Sequence, residues 1–265
     1  MTERKPDYST DNKMVVSNDY IYAKHPDKLS IYGMRLMRIA ITQCRKNDKE
    51  FYEYAFNVND LSKMIGCENS NLYRVADDIT TKLLQVILIT GSAITPNSKG
   101  KKYQLFHKCE YDKGHVRMQI HPDAADLFLN LNKYNPFTRI PVAPLLLMQS
   151  KYGIRIFELI CQKMMSCYPY ADKSTEIIIS IEEIRAVTNT EKKKTYEQVS
   201  HLKDKILFPA IADIEQAAEW RILCNNLKEG RKVTGFILQI WSAAGYAMME
   251  RQKAKGELPV NVLGD

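Results

Sequence analysis

The chain lacks most of what marks a membrane protein, a metalloprotein or an enzyme. No apolar run approaches the ~18 residues a membrane span requires. The opening MTERKPDYSTDNK holds no apolar stretch of a secretory signal, so the expected location is the cytoplasm, with no membrane partner. The six cysteines, Cys44, Cys67, Cys109, Cys161, Cys167 and Cys224, form no C-x-x-C pair and have no companion histidines at zinc spacing. They read as buried thiols in a reducing compartment, and no metal site is expected. No G-x-x-x-x-G-K-[ST] loop is present to cradle ATP. Glu182 and Glu183 are adjacent, so they leave a helix on different sides and suit a first-turn dipole contact better than acid and base catalysis. No catalytic residue and no cofactor is expected.

What is present is basic and globular. At 265 residues, 45% hydrophobic and 26% charged, the chain can build two modest cores. Its formal charge of +7 favours a polyanionic partner such as nucleic acid.

The pattern of elements is stated twice. Leu29 to about Arg45 reads as a helix, YEYAFNV as a strand, DLSKMIG as a helix stopped by Gly66, and SNLYRVADDITTKLL as a second helix. Its apolar face is Leu72, Val75, Ile79 and Leu83, with Ser70 as a candidate N-cap. Two strand-like stretches, QVILIT and YQLFHKCEYDKGHVRMQI, flank the loop SAITPNSKGKK, and the second turns again at Asp112 to Gly114. The second statement opens with one long helix, APLLLMQSKYGIRIFELICQKMM, followed by the strand EIIISI and the helix IEEIRAVTN. TYEQVSHLKDKIL is the next helix, Pro209 starts another, and WRILCNNLKEGRKVTGFILQIW is two strands around Gly230. Helix, strand, helix, helix and hairpin is the order of a winged helix-turn-helix. The expected fold is therefore α+β, two tandem winged-helix domains related as a pseudo-repeat. The boundaries are a flexible tail over 1–17, domains over 18–140 and 141–245 joined near Asn135 to Pro144, and a C-terminal tail over 246–265.

SKYGIRIFELI (Ser150 to Ile160) and KEGRKVTGFILQI (Lys228 to Ile240), in this order and separation, resemble signature segments of the replication initiator (Rep) proteins of iteron-containing theta plasmids. The resemblance covers about Asn18 to Trp241 and is more specific in the second half. It implies two winged helices that bind repeated duplex sites at an origin and open the adjacent strands. It also implies recruitment of the host replicative helicase and initiator proteins, and a homodimer in equilibrium with monomer. On the same resemblance, the dimer is expected to form through the first domain and to repress its own promoter.

A helix in the major groove reads base edges from its outward face, while cations and amides at its start hold phosphates. In KKKTYEQVSHLKDKIL, Tyr196, Val199, Leu202 and Ile206 line one side and Lys194, Gln198, His201 and Lys205 the other. Thr195, Gln198 and His201 are the candidates for base contacts, and Gln198 suits a bidentate pair with adenine. Lys194 and Lys205 reach base or phosphate, and Lys192 and Lys193 hold the backbone. The competing reading is a plain solvated helix face. The wings are Lys99, Lys101 and Lys102 around Gly100, and Lys228, Arg231 and Lys232 around Gly230; exposed turns of any protein also carry lysine and glycine. The first recognition-like helix offers Asn71, Arg74 and Thr81 but also Asp77 and Asp78, which repel phosphate, so the second domain is expected to supply more of the affinity. Two winged helices in series span about two duplex turns, hence repeats of about 20 base pairs.

Rolling-circle initiators cut DNA with a tyrosine and hold a metal between two histidines that bracket one residue. This chain has no such triplet, and Tyr168 and Tyr170 read as packing or turn residues. A transcriptional repressor without an initiation role and a protein-interaction module remain alternatives.

Overall fold

Short polar side chains set the helix starts. Ser17, Ser30, Asn57, Ser150, Ser180 and Ser242 each accept a backbone N–H from the turn that follows, satisfying donors that have no partner inside the helix. Ser180 and Glu183 close a reciprocal capping box. The computed structural model describes residues 3–25, 29–67, 69–91, 100–132, 134–166, 168–169 and 174–255, with backbone alone at 69–75.

The first unit comprises β1 (Glu3–Arg4), β2 (Lys13–Ser17), α1 (Asn18–Tyr22), α2 (Ile31–Thr42), β3 (Glu53–Asn57), α3 (Val58–Ile65) and α4 (Asn69–Leu84). It continues through β4 (Ile87–Thr90), β5 (Lys101–Gln104), β6 (Phe106–Asp112), β7 (His115–Ile120), α5 (Ala125–Phe128) and β8 (Phe137–Pro141). The second unit comprises α6 (Val142–Leu147), α7 (Lys151–Met164), β9 (Thr175–Ser180), α8 (Ile181–Thr188), α9 (Val199–Leu202), α10 (Phe208–Ala218), β10 (Trp220–Glu229), β11 (Lys232–Ser242) and α11 (Ala243–Ala254). Each unit repeats helix, strand, helix, helix and hairpin. The fold is α+β with two winged helices.

The sheets are small. One has the order β1-β3-β7-β6, one β10-β11-β9, and β2-β8 and β4-β5 are two-stranded. The β6–β7 turn places Lys113 and Gly114 both at positive φ, 44° and 78°, the mirror-image turn that matches strand twist. A Cβ at Gly235 would stand 2.7 Å from the Ile179 carbonyl, so β9 and β11 approach closely only because that position is glycine.

Several expected boundaries move. Residues 3–17, expected within a flexible tail over 1–17, are not a free tail: Glu3 and Arg4 pair in parallel with Glu53 and Tyr54, and Lys13–Ser17 pairs antiparallel with Phe137–Pro141. The expected joint at Asn135 to Pro144 is thus largely a strand, because Met14, Val16 and Ile140 are all fully buried. The single long helix over 143–165 is two. The Met148 carbonyl accepts from Arg35 Nη2 at 2.6 Å, and the Gln149 and Ser150 amides donate to Asp213 at 2.9 and 2.8 Å, which takes that backbone out of the helical ladder. A side chain at Gly153 would run into the same Asp213 carboxylate, which accounts for glycine in KYGIR. The expected strand before the Asp112 to Gly114 turn breaks at Leu105 into β5 and β6, which enter different sheets. Residues 246–254, expected in a tail, belong to α11, which is capped by Ser242 and pinned by Tyr246 edge-on to Trp241 at 5.7 Å.

One buried cluster runs through both units. At its centre Arg38 on α2 donates from Nε to Glu158 on α7 at 3.0 Å, with both side chains fully buried. Arg155 pairs with the other oxygen of Glu158 and also donates to the Ala23 carbonyl at 3.0 Å and the Val187 carbonyl at 3.1 Å.

Candidate nucleic-acid interface

The candidate recognition element of the second unit is assembled from a turn and a helix rather than from one helix. Arg185 on α8 donates to the carbonyls of Tyr196 and Glu197, both at 2.9 Å, and so removes two acceptors from any helical ladder there. Lys194–Tyr196 accordingly forms one 3-10 turn, Gln198 is the residue before α9, and the helix starts at Val199. Lys194 and Thr195 therefore sit on the turn and not on a helix face. Their expected alignment with Gln198 and His201 at helical spacing fails for that reason.

Beyond Val199 the helix does not stop at Pro209. Lys203–Leu207 adopts the wider π form, in which the Phe208 amide donates to the Lys203 carbonyl five residues back. Proline lacks a donor and its ring crowds the carbonyl four residues before it; the wider turn accommodates both defects, and α9, the π turn and α10 run on without a break. Leu202 and Ile206 are fully buried beneath, as expected, while Tyr196 and Val199 are half-buried.

The outward side of this element is open. Lys192, Lys193, Lys194, Thr195, Gln198, His201 and Lys205 are all exposed. His201 Nδ1 lies 3.1 Å from the Thr195 carbonyl. A carbonyl only accepts, so Nδ1 carries the hydrogen, and in the neutral ring Nε2 is left as an acceptor facing away from that bond.

Lys203, which the sequence pattern did not single out, ties the helix to the wing. Its ammonium donates to Asn226 on β10 at 3.2 Å and lies 4.8 Å from the Phe208 ring centre. The wing turns at Gly230, with φ of 61°, where an added Cβ would meet nothing. Lys228, Arg231 and Lys232 are exposed at its tip. A register shift between Leu227 and Lys228 leaves Thr234 unpaired, a bulge that re-aims the tip relative to the lower strands. Glu197, Asp204 and Glu229 are interspersed, so the surface is predominantly rather than uniformly positive. Arg185 and Asp213 carry no periodic signal that could have marked them; each acts on backbone groups distant from its own position.

In the first unit α4 buries Ala76, Ile79 and Leu83. Asn71 and Arg74 fall within its span, but their side chains lie outside the described residues, as does Lys99. Asp77, Asp78 and Thr81 are exposed, and Asp78 pairs with Lys82 at 2.6 Å. Lys101 and Lys102 are exposed on β5, whose partners Thr90 and Ile89 complete a wing of four residue pairs.

Among the described residues no group of three His, Cys, Asp or Glu side chains could hold a metal. No described helix is long and apolar enough to cross a membrane. Tyr168 is exposed with Lys13 5.7 Å from its ring centre; Tyr170 and Cys167 lie outside the described residues.

Two helix-turn-helix units, each followed by a hairpin with exposed lysines, define a tandem winged-helix protein. Residues 13–161 match the family model described as initiator replication protein, WH1, and residues 180–240 match that described as initiator Rep protein, WH2. The chain belongs to this family of replication initiator proteins. The Pi initiator protein, solved in complex with iteron DNA, shares the fold with a TM-score of 0.68 at 19% identity, over 88% of this chain and 98% of that one. Domains 2 and 3 of RctB match at 10% identity with a TM-score of 0.44, over 80% of this chain and 82% of that one. No curated protein matches the sequence.

Proposed function

We propose that this chain initiates plasmid replication by binding repeated duplex sites at an origin, without a chemical step of its own. The observation that carries the proposal is the exposed, lysine-rich turn and helix over 192–205, held beside the basic wing tip by the Lys203–Asn226 bond. Family membership and the likeness to an initiator solved on iteron DNA support the same reading. Gln198 and His201 read base edges; Lys192, Lys193 and Lys194 hold phosphates at the start of the element. Thr195 and Lys205 flank them, and Lys228, Arg231 and Lys232 follow the groove edge. The first unit, over 18–140, adds weaker contacts through Asn71, Arg74, Lys99, Lys101 and Lys102 and carries the homodimer surface. The second, over 141–245, supplies the main affinity. Strand opening, recruitment of host helicase and initiator proteins, and repression by the dimer belong to the same proposal.

Footprinting on plasmid DNA tests it. Protection of tandem repeats of about 20 base pairs is expected, together with loss of plasmid maintenance when the protein is withdrawn. A single isolated footprint, with replication unaffected by withdrawal, would instead establish a repressor.

A further inference from the structure

The turn that presents the candidate DNA contacts has no core of its own. Thr190 and Leu202 are buried, but no residue of 191–201 is, and within that stretch Tyr196 and Val199 are half-buried. Apolar packing therefore leaves its position loosely specified, and polar ties must set it. Arg185 holds the far end from within the second unit, through the Tyr196 and Glu197 carbonyls. The near end is held by the first unit. Asn189, which closes α8 in the left-handed conformation at φ of 54°, donates from Nδ2 to the His25 carbonyl. The Lys24 ammonium pairs with the Glu191 carboxylate, and Glu191 directly precedes Lys192, Lys193 and Lys194.

On the first unit's side the joint is firm. Buried Arg155 donates to the Ala23 carbonyl at 3.0 Å and from Nε to the Val187 carbonyl at 3.1 Å, so one guanidinium fixes residue 23 and the end of α8 together. His25 is buried and packs edge-on against Tyr20 at 4.9 Å. The backbone of Lys24 exchanges two hydrogen bonds with Ile89, at 2.9 and 3.3 Å. Ile89 lies on β4 directly opposite Lys102 on β5. Bonded contacts thus run from the wing of the first unit, through residues 24 and 25, to the turn of the second.

We infer that Lys24 and Asn189 are positioning residues for base recognition: the first unit, through Lys24 and the His25 carbonyl, sets the place of the turn that carries the second unit's DNA contacts. Base preference then depends on a lysine whose charge is engaged by Glu191 and which reads no base itself. The inference rests on the proposed reading of bases by Gln198 and His201.

The test uses the full chain and a duplex selected by it from a random pool, and measures the ratio of affinities for that duplex and for its single-base variants. A ratio is insensitive to the fraction of protein that is folded, so a merely structural role would not move it. Lys24→Gln and Asn189→Gly, the latter keeping the left-handed backbone, are each expected to lower the ratio about two- to fivefold, the scale of a partly exposed polar tie. Affinity for unrelated duplex and its salt slope should stay as they are, and Lys24→Arg should keep the ratio. Lys24→Glu is expected to lower it further, and adding Glu191→Lys to restore it, because the exchange rebuilds the pair at the same net charge. If Lys24→Gln instead weakens every sequence alike and lowers the log-log salt slope by about one, Lys24 is a phosphate contact and the inference is overturned. An exchange no better than Lys24→Glu alone overturns it as well. Gln198→Ala, measured beside them, separates the two failures. A ratio that falls there but in neither the Lys24 nor the Asn189 variants removes this inference and leaves the proposed function standing; a ratio that falls in none of them removes base reading from this element, and the inference with it.

Discussion

The two winged units place their strands differently, and the difference bears on the work proposed for each. In the second, the strand before the helix-turn-helix, β9, joins the wing itself, so ten-residue β10 and eleven-residue β11 project from a three-stranded sheet. In the first, the corresponding strand β3 is taken by the β6–β7 hairpin and by β1, and the wing is left as two four-residue strands in a sheet of their own. A long wing anchored by a third strand presents a fixed basic tip. The β-rich side of the first unit is instead committed to a sheet whose outer strands, β1 and β6, are edges. Edges of that kind are pairing surfaces, which suits the dimerisation proposed for this unit.

The largest expected effect breaks the joint between the units. Glu158→Ala leaves Arg38 and Arg155 buried without their carboxylate, a loss of about 3 to 5 kcal/mol, measured by urea denaturation. Because one core runs through both units, a single transition shifted to lower denaturant is expected. Two separated transitions, with only the second moved, would show that the units fold independently.

Next is the reading of bases. Gln198→Ala and His201→Ala are each expected to lose about 1 to 3 kcal/mol of discrimination between the selected site and its single-base variants, with less change in affinity for unrelated duplex. With Nδ1 donating to Thr195, neutral His201 offers an acceptor, so it selects a base-edge donor such as the amino group of cytosine or adenine. Unchanged preference in both variants would move specificity out of this element.

The joint is also sensitive to acid. Burial, followed by the charges of Arg155 and Arg38, holds His25 well below its usual range. In the unfolded chain it titrates near 6.5, so below about pH 6.5 the unfolded state takes up a proton that the folded state refuses. Stability is complete above that pH and falls as pH drops, by up to about 1.4 kcal/mol per unit from this group. Melting curves between pH 7.5 and 5 measure it, and His25→Leu should flatten the dependence.

Much of this was legible in the sequence, and the failures share a cause. Caps, glycine turns and apolar periodicity marked the repeated helix, strand, helix, helix and hairpin order, and the inward Leu202 and Ile206. What periodicity could not show were long-range side-chain bonds to the backbone. Arg185 shortens the helix expected over 195–207 from a distance of 11 and 12 residues, and Asp213 interrupts the α6–α7 segment from 63 and 64 residues away. The N-terminal strands were missed because β2 pairs with β8, at the far end of the first unit, which no local pattern shows. Pro209 misled in the other direction, since it suggested a helix start where a π turn carries the helix through.

The smallest effects address the asymmetry in DNA affinity itself. Arg231→Ala should remove one phosphate contact and reduce the log-log salt slope by about one; the matched change in the shorter wing, Lys101→Ala, should reduce it less. Asp77 and Asp78 allow the opposite manipulation. Both are exposed on α4, and Asp78 also occupies Lys82 in an i,i+4 pair. Asp77→Asn with Asp78→Asn removes two charges that repel phosphate and releases one cation, so binding should strengthen, by about 0.5 to 1 kcal/mol at low salt, the scale of exposed charge interactions. Because a solvated face is screened within about 10 Å at 0.1 M salt, the gain should shrink as salt rises. A gain at low salt that fades in this way places α4 within reach of the duplex. No gain at any salt concentration means that this face of α4 stands off the DNA.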